Sequence, residues 1–194
     1  FNVATPNYFK SSNNRTRIGL TNAYNLYHRN RNRVITDLET LEQKTSSASD
    51  ALDTQTFQLF NSRLLALSSL NKYFSLGYGF DITLENAKSS RVLSNTGVTD
   101  LAAFYNLKLS YKKLMLEQGL RFTYNNQFSV PLIPAIHAKY KFSEKWNARV
   151  SASKGFRSPS IKERFLYFVD QNHDVTGNPN LMAESSNSFM AGIN

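Results

Sequence analysis

The sequence predicts an all-β fold: an antiparallel, up-and-down transmembrane β-barrel, of which these 194 residues supply about nine strands. Three observations carry that prediction. Apolar residues recur at every second position over long stretches, the period of an extended chain with one greasy and one wet face. Connections alternate between short turns, near residues 31, 71, 112 and 144, and long polar loops, near 48, 92, 130 and 170. Aromatic residues gather beside the short turns: Tyr27, Tyr73, Tyr111, Tyr140, Phe142 and Trp146. Short turns at one end, long loops at the other and an aromatic girdle describe a barrel of the outer-membrane type.

Taken in order, residues 1–15 are polar, and Pro6 with Ser11-Ser12-Asn13-Asn14 predicts a loop. From Arg17, Ile18, Leu20, Tyr24 and Leu26 alternate against Gly19, Thr21 and Ala23, a half-buried strand. Arg29-Asn30-Arg31-Asn32 reads as a tight polar turn, followed by a less regular strand over 33–43 and a loop at 45–50. Residues 55–69 are strand-like but mixed in phase, and adjacent Leu64 and Leu65 predict a bulge. After a turn at Asn71-Lys72, Phe74, Leu76, Tyr78, Phe80 and Ile82 alternate without error against Ser75, Gly77, Gly79, Asp81 and Thr83.

A polar loop at 86–98 leads to a hairpin that turns at Lys112-Lys113. It pairs Tyr105, Leu107, Leu109 and Tyr111 with Leu114, Leu116, Leu120, Phe122 and Tyr124. The segment 125–134 is a third long connection. Ile136, Ala138, Tyr140 and Phe142 then oppose His137, Lys139 and Lys141, and Ser143-Glu144-Lys145 turns the chain into a strand opened by Trp146. Phe189, Ala191 and Ile193 begin a ninth strand, and no helical period competes anywhere.

Composition narrows the function classes. With no cysteine, neither disulfides nor thiolate metal sites are available. No apolar run approaches the roughly 20 residues of a membrane helix, a test that alternating barrel strands escape. The formal charge of +9 is scattered rather than blocked. It fits nucleic-acid binding or basic lumen walls that attract an anionic ligand. No Gly-rich phosphate loop, metalloprotease helix or nucleophile elbow is present, so an enzyme is not expected. The chain starts at Phe1-Asn2-Val3 without an initiator Met or signal-peptide pattern, and it reads as an internal fragment.

The stretch 146–181 is the most specific. Alternation from Trp146 breaks at Gly155-Phe156-Arg157-Ser158-Pro159, and a long aromatic segment closes on Gly177-Asn178-Pro179-Asn180-Leu181. These two boxes, their order, their spacing and Glu184 after the second resemble TonB-dependent outer-membrane receptors. In that family the first box commonly reads FRAP and the second NPNL or NPDL followed by Lys-Pro-Glu. Here Ser158 takes the alanine position, and Met182-Ala183-Glu184 replaces Lys-Pro-Glu. "GLRFTYN" at 119–125 also resembles a strand common in these receptors.

The resemblance implies a plugged barrel of twenty-two strands in the outer membrane of a Gram-negative bacterium. It also implies import of a scarce ligand powered through TonB. On that reading the chain is one partial barrel domain. The plug, the TonB-contacting segment and the closing strands lie outside it. An iron complex, haem or siderophore, is the first ligand expected, then cobalamin, then glycans, with no resident cofactor. The partners are TonB, outer-membrane lipid and the small-molecule ligand.

Candidate site residues follow. His173 lies between the boxes, where haem-importing members of the resembled family carry a histidine proposed to ligate haem iron. An imidazole on an exposed loop suits that role, and a loop histidine bonded to polar neighbours is the competing reading. No other metal site is expected. Arg157, Tyr167 and Phe168 join His173 as ligand-facing candidates, although an Arg157 salt bridge to Glu163 or Asp170 is the simpler role. Asn178 and Pro179 set turn geometry. Lys108, Arg121, Lys139 and Arg149 project to the inferred lumen, as attractors of anionic cargo or as solvated wall and plug contacts. His28 and His137 are weaker candidates. A passive pore is a competing class, as is a soluble basic β-domain binding nucleic acid. The latter would place aromatic and basic residues on one shared face, whereas here they segregate to opposite parities.

Overall fold

The computed structural model describes residues 2–10, 15–46, 51–92, 97–169 and 173–194. In chain order the elements begin with β1 (Asn2–Lys10), β2 (Thr16–Asn32), β3 (Val34–Thr36), β4 (Gln43–Thr45) and β5 (Leu52–Ser69). Then come β6 (Phe74–Ser89), β7 (Gly97–Tyr111), β8 (Leu114–Asn125), β9 (Ile133–Lys141) and β10 (Asn147–Arg157). A short helix α1 (Ile161–Phe165), β11 (Tyr167–Val169), β12 (Asp174–Thr176) and β13 (Glu184–Ile193) complete the chain. Among the described residues one nine-stranded sheet dominates, in the order β1-β2-β5-β6-β7-β8-β9-β10-β13. Each of its strands runs antiparallel to its neighbours. It is an up-and-down meander, open at both edges, with all-β architecture as expected.

The two faces divide as the alternation demands. Over 78–84 of β6 the apolar residues are the exposed ones, Phe80 at 58% against 8% for its neighbour Asp81. Register carries that face across the sheet, since Leu64, Phe80, Ala103 and Phe122 lie opposite one another in turn. A continuous apolar face left open to the surroundings is the reverse of a soluble domain and fits lipid. The apolar band covers 74–84 of β6, 101–111 of β7 and 114–124 of β8. That is about the 9–11 residues a tilted membrane strand needs. Beyond the band, strands such as the 18-residue β5 continue toward the long-loop end with mostly polar residues, as in Asp53-Thr54-Gln55-Thr56.

Several expectations are corrected. Arg29–Asn32 is no turn: β2 runs through it, with Asn30 opposite Thr54 and Arg31 opposite Asp53. Its polarity reflects a strand end that has left the lipid band. The predicted strand at 33–43 is instead the separate β3–β4 hairpin. Asp37 starts its turn, its Oδ1 accepting from Glu39 N (2.8 Å) and Thr40 N (3.1 Å). Residues 2–10, expected as loop, form strand β1, paired along its length with β2; Ser11–Asn14 lie outside the described residues. The count of nine sheet strands therefore holds with a different membership.

No bulge interrupts Leu64-Leu65. Register is continuous, with Leu64 opposite Phe80 and Leu65 opposite Gly79, whose missing side chain makes room on the inner face. Tyr27 leaves the girdle: it stands at the long-loop end, its ring 6.1 Å from Phe57, on the inner face. The loop between β6 and β7 is shorter than predicted, and β13 begins at Glu184 rather than Phe189. Finally, α1 is a helix where none was expected. A small core of Ala87, Val92 and Ile161, with Phe57, Val98 and Phe165 against it, seats that helix at the long-loop end.

Candidate functional site

The two sequence boxes are halves of one clasp built around α1. Strand β10 ends at Arg157, which lies opposite Glu184 at the start of β13, so the excursion 158–183 leaves and returns at one point. Ser160 caps the helix: its hydroxyl accepts from Glu163 N at 3.2 Å, and Glu163 Oε2 accepts from Ser160 N at 2.8 Å. This reciprocal capping box satisfies two otherwise unpaired donors. Arg157 pairs with Glu163, one of the two carboxylates expected, and lies 3.4 Å from Glu184; Asp170 is outside the described residues. The Ser160 amide first, then Arg157, lower the Glu163 carboxyl to about 2.

The second box seals the other end of the helix. Gly177 N donates to Leu166 O at 2.6 Å, and Asn178 N donates to Glu163 O at 3.1 Å. Arg164 Nε and Nη2 both donate to Pro179 O at 3.3 Å. A side chain at Gly177 would sit 2.7 Å from the Arg164 backbone, so glycine is needed for the approach. Asn178 Oδ1 accepts from Asn180 N, and Leu181 N donates to Asn178 O, the turn role expected of this residue. Phe156 precedes the clasp on β10, and buried Pro159 leads into the cap.

Between the boxes, β11 and β12 pair as a hairpin that adds to the loop after β6. Tyr167 N donates to Arg91 O at 2.7 Å, and Leu166 bridges Val92. Arg91 stacks its guanidinium 4.4 Å from the Phe168 ring centroid, and His173 lies 4.9 Å from the same ring. Asp53, 2% exposed, holds Arg91 from beneath: Oδ2 lies 2.9 Å from Arg91 Nε, while Oδ1 accepts from Ser90 Oγ at 2.5 Å. Burial raises the Asp53 carboxyl, but Ser90, Gln55, Arg91 and Arg29 together outweigh it and hold it below its usual range. Arg164 lies over Phe128 and Phe165, and Lys162 over Phe57, so this end carries several cation–π pairs. Of the predicted ligand-facing residues, Phe168 and His173 share one stack. Tyr167 faces away on the same hairpin strand, and Arg157 stands at the clasp.

Along the inner face, Arg121 is not a free cation. Its Nη1 donates to Asp81 Oδ2 at 2.5 Å, while Arg63 Nε and Nη2 donate to the same carboxylate at 2.6 and 3.0 Å. Both guanidiniums also stand over the Phe104 ring, 5.8 and 5.9 Å from its centroid. Lys108 lines a 650 Å³ concavity with Arg15, Arg17 and Glu117. Lys139 and Arg149 lie opposite each other and line a second, of 610 Å³, with Glu117 and His137. His28 Nδ1 contacts Thr56 Oγ1 at 2.9 Å on the outer face.

Arg63, Asp81, Asp53 and Arg91 were not singled out from sequence. Asp81 had a signal, the one charge among the small residues of its face. Ser160 and Glu163 had another, the S-x-x-E spacing of a capping box. Arg91 had none, because nothing local links it to residues 168 and 173. Among the described residues no three His, Asp or Glu side chains converge on a metal site.

Comparison with known proteins agrees with this geometry. The chain resembles the siderophore receptor PirA of Pseudomonas aeruginosa, with a TM-score of 0.60 and 16% identity over 92% of this chain and 39% of that one. It also resembles the FrpB iron transporter of Neisseria meningitidis (F5-1 variant), with a TM-score of 0.56 and 14% identity over 99% and 42%. It thus spans about two fifths of either structure, and at such identity the likeness speaks for the fold. A search of curated proteins gave no match. The sequence profile described as TonB dependent receptor-like, beta-barrel matches residues 2–194, and the chain belongs to that family.

Proposed function

We propose that this chain forms part of the wall and mouth of an outer-membrane receptor of a Gram-negative bacterium. The receptor imports a scarce iron complex, haem or a ferric siderophore, with energy delivered through TonB. The complex is cargo rather than a resident cofactor, and a plug and further strands complete the barrel. The observation that carries the reading is the stack of Arg91, Phe168 and His173 on a pre-folded excursion above a cation-bearing inner face. Flat rings and a guanidinium suit a planar or catechol-bearing ligand, and fixed cations below suit its negative charge. Ordering these loops before binding lowers the entropy cost of capture. Of the two solved relatives, one is a siderophore receptor and the other an iron transporter.

The test titrates the intact receptor with haemin and with ferric siderophores, in the native form and as His173→Ala and Arg91→Ala. Haem as cargo, ligated by His173, predicts a changed Soret band and a loss of at least about tenfold in affinity for His173→Ala, or 1.4 kcal/mol. An unaltered Soret shift and affinity would remove His173. Siderophore as cargo predicts that Arg91→Ala weakens binding while His173→Ala does not. Iron-dependent uptake that survives deletion of TonB would overturn the energised step.

A further inference from the structure

The short-turn end carries a row of lysines that the import reading does not use. Lys72 lies in the β5–β6 turn, Lys112 and Lys113 form the β7–β8 turn, and Lys145 lies in the β9–β10 turn. The three turns are tied to one level. Ser110 N donates to Tyr73 O at 2.8 Å, Lys141 N to Lys113 O at 2.9 Å, and Lys113 Nζ to Phe142 O at 3.0 Å. Among the described residues none of these four lysines forms an ion pair, in contrast to Arg91 and Arg157 at the loop end. Glu144 is the one carboxylate within the same turns.

The lysines stand against the aromatic girdle itself. Lys72 Nζ is 4.8 Å from the Tyr73 ring centroid and Lys112 Nζ is 5.4 Å from that of Tyr111, while those two rings meet edge to face at 5.2 Å. Tyr140 and Phe142 make a second edge pair at 5.2 Å, and Trp146 is exposed beside them. Rings of this kind mark the depth of the membrane interface. An ammonium on a flexible stem just beyond them sits at the level of lipid phosphate. Lys112 also holds φ 51°, at a two-residue turn position that favours glycine or asparagine. A cation is thus kept where backbone preference argues for another residue.

We infer that this rim is a binding collar for anionic phospholipid headgroups, with the lysines engaging phosphodiesters of the leaflet at the short-turn end. Charge complementarity and the shared depth of ring and ammonium single out lipid over an acidic protein segment, which would not need the aromatic girdle. The inference rests on the chain being membrane wall.

The experiment reconstitutes the intact receptor and measures its association with spin-labelled phosphatidylglycerol relative to spin-labelled phosphatidylcholine. Heat-modifiable migration reports assembly in the same samples. A native receptor that does not assemble into bilayers would sink the membrane reading; one that assembles but shows no preference would sink the collar alone. The expected result is a phosphatidylglycerol preference that weakens with salt. It falls at least about fivefold in K72Q/K112Q/K113Q/K145Q, the effect of a single lysine at an anionic surface. Restoring charge as K72R/K112R/K113R/K145R restores it, which separates charge from folding. An unaltered preference in the glutamine variant overturns the proposal, including the case where that variant instead loses a cross-link to a periplasmic protein.

Discussion

The wall strands β5–β8 and the excursion between Arg157 and Glu184 are held together by different physics. In the wall, a backbone ladder fixes every residue, and side chains decide only which face meets lipid. In the excursion, a five-residue helix has too few internal bonds to persist alone. It depends on a capping box, a second box at its far end, and one buried apolar contact, Ile161 at 1% exposure. The wall should therefore fail all at once, and the excursion piece by piece.

The wall's failure is the largest effect to look for. A Cβ at residue 79 would fall on the Leu64 carbonyl and 2.9 Å from the Phe104 ring. Backbone cannot yield there without breaking the β5–β6 register, so overpacking exceeds the usual range of about 1–3 kcal/mol. Gly79→Val in the intact receptor should abolish the heat-modifiable barrel band. Gly177→Val, in the excursion, where a Cβ would sit 2.7 Å from the Arg164 backbone, should leave that band in place. Equal assembly of the two variants would break the contrast between the regions.

An intermediate effect lies where the two regions meet. Asp53 belongs to a wall strand, yet its carboxylate fixes Arg91 and through it Phe168. Asp53→Ala leaves Arg91 beneath the hairpin without its counter-charge, a loss of about 3 kcal/mol for a broken buried pair. Hydrogen exchange should show it as faster opening of the β11–β12 pairing, 167–169 with 174–176, with the β6–β7 ladder unchanged. Faster exchange along the whole of β5 would show that Asp53 serves the wall instead.

This division also governs how much the sequence disclosed. Period-two alternation located the β6–β8 strands because lipid on one face leaves the hydrophobic pattern no competitor. It misplaced Arg29–Asn32 because a strand above the lipid band is polar on both faces and resembles a turn. It missed α1 because five residues cannot display a helical period, although Ser160 and Glu163 carried the cap signal. Box residues were legible, and so was the Arg157–Glu163 pair. The Arg91–Phe168–His173 stack was not, since it joins two long loops whose meeting is set by strand order.

The smallest effect concerns the clasp and acidity. Ser160→Ala removes the helix cap at about 1 kcal/mol, and it should speed limited proteolysis near Arg164 without altering barrel assembly. Glu163 supplies the other half of the same box, with a carboxyl lowered from 4.5 to about 2 by the Ser160 amide and by Arg157. A carboxyl more acidic in the folded state stabilises that state fully above its ordinary value. The contribution fades as pH drops from about 4.5 and is gone once pH passes through about 2. Proteolysis of the excursion should therefore accelerate across that window in the native receptor. In Glu163→Gln it should start fast and change little with pH, because the titrating group is gone. A native excursion that stays equally protected down to pH 2 would show that the clasp holds without its charge, leaving Ile161 and the Gly177 contact as its main supports.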